Sequence, residues 1–195
     1  LKAINLSKGD LKELCFLYFN HSIIYEDAGF HKESLQYLNL AYQTSKDVKD
    51  LRIEAYSIRN LAHYAIEDKD FETAKKYLNR GLEICNDINS KEICYHIHLA
   101  LGRIFIELGE FENAKSSLLQ AKNLAVNRKL KQDILESNFF LGELEFRSGH
   151  FKKASQFFRE VNFNPNDIED LRIAAMVFKN WSKAESEIGN YKKTN

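Results

Sequence analysis

Few side chains in this sequence stand at spacings that could do chemistry. His63 and Glu67 are four apart, so two ligands could meet on one helical face, yet a metal site takes three or four. His96 and His98 are two apart and would point to different faces of a helix. Cys15, Cys85 and Cys94 form an odd set with no Cys-x-x-Cys spacing. They read as buried thiols of a reducing compartment, hence the cytoplasm, rather than as a disulfide framework. Arg59, His63 and Arg103 could make a cationic site for a carboxylate, which arginine grips through two parallel N–H bonds. The sequence contains no Gly-rich phosphate loop, nucleophile elbow or metalloprotease motif. The expectation is no enzyme, no metal and no cofactor.

The elements that would position these groups follow from composition. With 195 residues, 44% hydrophobic and 29% charged, the chain can bury a core and is neither disordered, collagen-like nor membrane-spanning in composition. Its 28 basic and 28 acidic side chains cancel, so no global field favours nucleic acid or an anionic membrane, and a neutral surface suits protein partners. The densest basic stretch, Lys122, Arg128, Lys129 and Lys131, falls at a helix end and the turn after it, and reads as solvated surface. One proline and eight glycines supply too few turns for an all-β fold; the fold class is all-α.

A forty-residue period organises the whole chain. An aromatic or its stand-in recurs at His31, Phe71, Phe111, Phe151 and Tyr191, and two residues earlier stand Gly29, Lys69, Gly109, Gly149 and Gly189. Small residues recur at Ser34, Ala74, Ala114, Ala154 and Thr194, and again at Ser22, Ala62, Gly102, Gly142 and Ser182. Antiparallel helices approach closely only where facing side chains are small, which pairs Ser22 with Ser34, Ala62 with Ala74 and Gly102 with Ala114. The glycine column ends the first helix of each pair in a left-handed cap, so Lys69 predicts a different or strained turn.

First helices are predicted near 11–27, 51–67, 91–107, 131–147 and 171–187, and second helices near 31–45, 71–87, 111–126 and 151–161, with another starting at 191. Asp10, Asp50, Ser90 and Asp170 stand where a short oxygen side chain caps a helix start, and Leu130 breaks that column. Residues 161 to 170, with Asn162, Asn164, Pro165, Asn166 and Asp167, read as a loop at a bend. Leu1 to Leu6 align with the end of a second helix, and the last repeat is partial, so the chain reads as a fragment of a longer array.

These columns resemble the tetratricopeptide repeat. The resemblance lies in a large residue followed by a small one in the first helix (Leu61-Ala62, Leu101-Gly102, Leu141-Gly142) and in glycine, aromatic and alanine at fixed offsets (Gly109, Phe111, Ala114; Gly149, Phe151, Ala154). It covers essentially the whole chain as one array, with repeats at 11–50, 51–90, 91–130, 131–170 and 171–195. The repeat is six residues longer than the family's usual thirty-four, and the closing proline is nearly absent. Such long repeats are similar to those of bacterial sensory and transcriptional regulators.

What the resemblance implies is a superhelix of about five helical hairpins with a ligand groove along its first helices. In the family's ligand columns stand Phe19, Arg59, Leu99, Phe139 and Lys179; then Asn20, Asn60, Ala100, Phe140 and Asn180; then Ile23, His63, Arg103, Glu143 and Lys183, with Tyr56 and His96 one turn earlier. An asparagine amide both donates to and accepts from an extended peptide backbone. The family's chaperone-tail carboxylate clamp is not expected, because Phe19, Ile23 and Leu99 replace its polar residues. The implied function is a protein- or peptide-binding module, the sensory or scaffolding region of a bacterial regulator. The alternatives are a structural spacer or dimerisation domain with an empty groove, and a peptide-pheromone-responsive switch. Exposed apolar residues near Phe178 and Trp181 predict further repeats or self-association at the C-terminal end; this segment itself is expected to bind neither nucleic acid nor membrane.

Overall fold

A computed structural model describes residues 8–161 and 168–194; the predicted loop residues Asn162 to Asp167 and the segment Leu1 to Leu6 lie outside them. The described residues form α-helices joined by short turns, with no strand. They are α1 (Lys8–Asp27), α2 (His31–Val48), α3 (Leu51–Glu67), α4 (Phe71–Asp87), α5 (Lys91–Glu107), α6 (Phe111–Arg128), α7 (Lys131–Arg147), α8 (Phe151–Glu160) and α9 (Ile168–Thr194). The starts of α2, α4, α6 and α8, and of α3, α5 and α7, are forty residues apart, as the aromatic columns require.

The turns repeat twice as often as the sequence columns. Gly29, Lys49, Lys69, Asn89, Gly109, Lys129 and Gly149 all have positive φ, between 50° and 80°, one every twenty residues. Each makes the same pair of bonds: Gly29 N to Glu26 O and Phe30 N to Tyr25 O recur as Lys49 N to Lys46 O and Asp50 N to Ser45 O, and onward to Gly149 and His150. This is a Schellman closure, which satisfies two carbonyls that a helix end leaves without partners. Lys69 adopts φ 60° in the glycine column, the strained turn its Cβ predicts. The column Lys49, Asn89, Lys129 carries no glycine and was invisible to a glycine-based reading.

Helix starts depart from expectation at two caps. The Asp50 side chain accepts from Arg52 N and Ile53 N, and Ser90 Oγ from Ile93 N, while Leu130 provides no side-chain cap. Asp10 and Asp170 instead lie inside α1 and α9, which begin three residues earlier than the cap column requires. Asp70, not foreseen, caps α4 through Thr73 N. α9 runs unbroken past Gly189, so no new helix starts at 191.

Contacts gather the chain into two compact units, residues 1–97 and 98–195, divided within α5. In the first unit α1 packs on α2, α2 on α3 and α3 on α4, and α1 also touches α3. Leu38, Ile58, Leu78 and Ile84 are fully buried at its centre, each worth about 1.5–3 kcal/mol of transfer free energy. Ser34 donates to the Ser22 carbonyl at 2.8 Å, so the predicted small-residue contact is a hydrogen bond. Gly81 leaves room for Ile97 and Ile58; a Cβ there would lie 2.6 Å from Ile97 Cδ1. In the second unit α6 packs on α7, α7 on α8, and α9 on both α7 and α8. A Cβ on Gly102 would meet Leu118 at 2.5 Å, with the Ala114 carbonyl 3.6 Å away, and one on Gly142 would meet Phe158 at 2.4 Å.

The reading of all three cysteines as reduced core thiols holds for Cys15 alone. Cys85 and Cys94 form a disulfide, with Cα atoms 5.3 Å apart. Cys85 lies in the last turn of α4 and Cys94 in the first turn of α5, and the turn between the helices brings the two together at a sequence separation of 9. Cys15 is fully buried, and burial, then Asp50, pushes its thiol up to about 11.

Candidate functional site

First helices in the first unit expose a connected polar and aromatic surface. Phe19 of α1 stands 6.0 Å from the Tyr56 ring of α3, tilted by 32°. The Arg59 guanidinium lies over that same ring at 5.7 Å, and its Nε donates to Asn60 Oδ1 at 3.1 Å. Tyr56 OH donates to Glu92 Oε1 of α5 at 3.4 Å. Arg59 is half-buried, and burial holds its pKa below the ordinary arginine range against the opposing pull of Tyr56 and Glu92. It nonetheless stays charged. Asn20 is half-buried beside Phe19. His63 is exposed, 3.4 Å from Glu67, and half-buried His96 meets the Tyr95 ring edge-on.

In the second unit the pattern is a cation on an aromatic again. Arg103 of α5 lies over the Phe140 ring of α7 at 5.2 Å. Arg147 Nη2 pairs with Glu107 at 3.0 Å and stands 3.9 Å from Glu143. Burial pushes the Glu143 carboxyl up; Glu107 adds to this, while Arg147, Arg103 and Lys183 pull the other way. Lys179 and Lys183 are exposed and Asn180 is half-buried on α9.

Two expected groove residues are core. Leu99 is 5% exposed and Phe139 is 3% exposed, the latter packed 6.2 Å from Phe158, whose ring occupies the space Gly142 leaves. Phe140, its neighbour, carries the contact with arginine instead. Sequence reasoning also passed over Glu92, Glu107 and Arg147. Glu107 and Arg147 are one period apart, a spacing a search for opposite charges forty residues apart would have found. The pairs Phe19–Tyr56 and Arg103–Phe140 join successive first helices one helical turn out of column, which comparison by column misses.

A family model for the tetratricopeptide repeat matches residues 60–88 and 95–125. The matches support a tetratricopeptide repeat protein. Those stretches take in most of the α3–α4 hairpin, and most of α5 and α6. None of the curated proteins matches the chain. Tetratricopeptide repeats generally mediate protein–protein interaction, and all-α repeat folds of this kind are typically non-enzymatic modules. Among the described residues no helix is long and apolar enough to cross a membrane.

Proposed function

We propose that this tetratricopeptide repeat protein binds an extended peptide or protein segment on the exposed face of its first helices, with Arg59 as an anchor. The observation that carries this reading is the arrangement of Phe19, Tyr56, Arg59, Asn60 and Glu92, contributed by three first helices of one unit. A half-buried guanidinium is already partly stripped of water, so an incoming acceptor gains more from it than from a solvated lysine. The flat Tyr56 and Phe19 rings supply apolar area, and the Asn60 amide retains its two N–H donors for a backbone carbonyl. The resemblance to long-repeat bacterial regulators supports a sensory or scaffolding role for such binding, within one array of forty-residue repeats.

Selection of binders from a random peptide library against the wild-type chain tests the reading. Arg59→Ala should weaken the selected peptides by about 1–3 kcal/mol, roughly five- to more than a hundredfold. Lys76→Ala, on the exposed side of α4, should leave them unchanged. Adding Arg103→Ala asks whether the second unit takes part. Peptides bound equally by all variants, or no peptides at all, would favour the spacer with an idle surface.

A further inference from the structure

The repeats provide their own control for the disulfide. At the α2–α3 junction the positions of Cys85 and Cys94 are held by Ser45 and Glu54, and at the α6–α7 junction by Ala125 and Ile134. All three junctions nevertheless close the same way: Asp50 N to Ser45 O at 2.8 Å, Ser90 N to Cys85 O at 2.9 Å and Leu130 N to Ala125 O at 3.3 Å, with left-handed Lys49, Asn89 and Lys129. The turn therefore does not need the sulfur bridge. Access to the two sulfurs differs, since Cys85 is fully buried and Cys94 half-buried. The third cysteine, Cys15, is buried and held as a thiol, so it does not compete in exchange.

We propose that Cys85–Cys94 is a reversible thiol–disulfide exchange site, attacked at Cys94 by a dithiol reductant, whose opening leaves the α4–α5 turn and the start of α5 folded. The first thiolate of the dithiol attacks Cys94 Sγ; the S–S bond breaks, Cys85 leaves as thiolate and takes a proton, and a mixed disulfide forms on Cys94. The second thiolate of the dithiol displaces Cys94, which is protonated in turn. Two electrons and two protons pass to the pair, and the dithiol becomes its own disulfide. At the two junctions without a bridge α3 and α7 start in the same register, with Glu54 N to Asp50 O at 3.0 Å and Ile134 N to Leu130 O at 3.1 Å beside Cys94 N to Ser90 O at 3.0 Å, so the start of α5 stands without the sulfur bond as well. The inference stands whether or not a peptide binds at Arg59.

The full chain tests it in three readings. Glutathione added to the oxidised protein should form its adduct on Cys94, as peptide mapping would show. Reduction with dithiothreitol should keep both the helical ellipticity and the slow amide hydrogen exchange of Cys94. Cys85→Ser/Cys94→Ser should show the same ellipticity and no response to reductant. An adduct on Cys85, no adduct at all, or loss of helicity on reduction of the wild type would each overturn the proposal; the wild-type readings stand if the double variant fails to fold.

Discussion

The Tyr64 hydroxyl lies 2.9 Å from Ser34 Oγ and is also hydrogen-bonded to the Glu26 carboxylate, so one phenol of α3 ties together both helices of the preceding hairpin. His31 Nδ1 completes the group, 3.0 Å from Glu26 Oε1. Tyr64→Phe should lower stability by about 1–2 kcal/mol, seen as a lower urea midpoint with unchanged slope.

The same group sets two pH limits. Burial and the bond to Glu26 raise the Tyr64 phenol from 10.0 to about 12. With the folded pKa the higher, its contribution is complete below pH 10 and is lost as pH climbs through about 12. Glu26 moves the other way: burial raises its pKa, but bonds from Tyr64, His31 and Ser34 outweigh burial and hold it below 4.5. Its contribution is therefore full above 4.5 and fades as pH falls through the lower folded value. Urea titrations across pH should show both losses shrink in Tyr64→Phe.

Gly142→Ala and Gly189→Ala should have opposite signs. The new methyl at 142 falls 2.4 Å from the buried Phe158 ring, an overpacking expected to cost about 1–3 kcal/mol. At 189, inside α9, nothing lies within 4 Å, and alanine should add about 0.5–1 kcal/mol through helix propensity. Thermal melts of both variants check this; destabilisation by the second would mean that α9 ends near Gly189.

Lys69→Gly should stabilise the chain. Relief of a left-handed Cβ gains about 1–2 kcal/mol, and the greater freedom of unfolded glycine returns about 0.4–1, leaving a net gain of roughly 0.5–1. Gly109→Ala should lose a similar amount by the reverse argument, as denaturant midpoints would show.

Glu54 is 3% exposed and meets Arg80 Nε at 3.0 Å. Arg80→Ala should cost about 2–3 kcal/mol, because it leaves a buried carboxylate without its cation. Adding Glu54→Gln should recover part of that loss in the same unfolding assay, since a neutral amide is cheaper to bury.

Helix boundaries from 31 to 151 were legible because packing demands recur at fixed positions: a small residue where helices touch, an aromatic where the second helix begins. Asp10 and Asp170 misled because an N-cap residue type does not by itself start a helix, and Gly189 because nothing in the sequence separates a helical glycine from a capping one. The surface around Arg59 was legible as a set of residues but not as a set of contacts. Phe19 and Tyr56 meet across two helices with a one-turn offset, and Leu99 and Phe139 turn inward, because side-chain direction depends on the neighbouring helix rather than on the column. The Cys85–Cys94 bridge escaped because motif spacing concerns local sequence, whereas a turn brings residues nine apart to bonding distance.

The twenty-residue recurrence of left-handed turns bears on how such a chain can be lengthened. A duplicated stretch of forty residues begins and ends at equivalent bends, so it can be spliced in without inventing a new junction. A stretch of twenty would also meet a ready-made bend, but it would deliver the next helix running the wrong way, with its small residues facing no counterpart. Tandem copying in hairpin-sized blocks is thus the one mode of growth that the geometry of these corners leaves open at no structural cost.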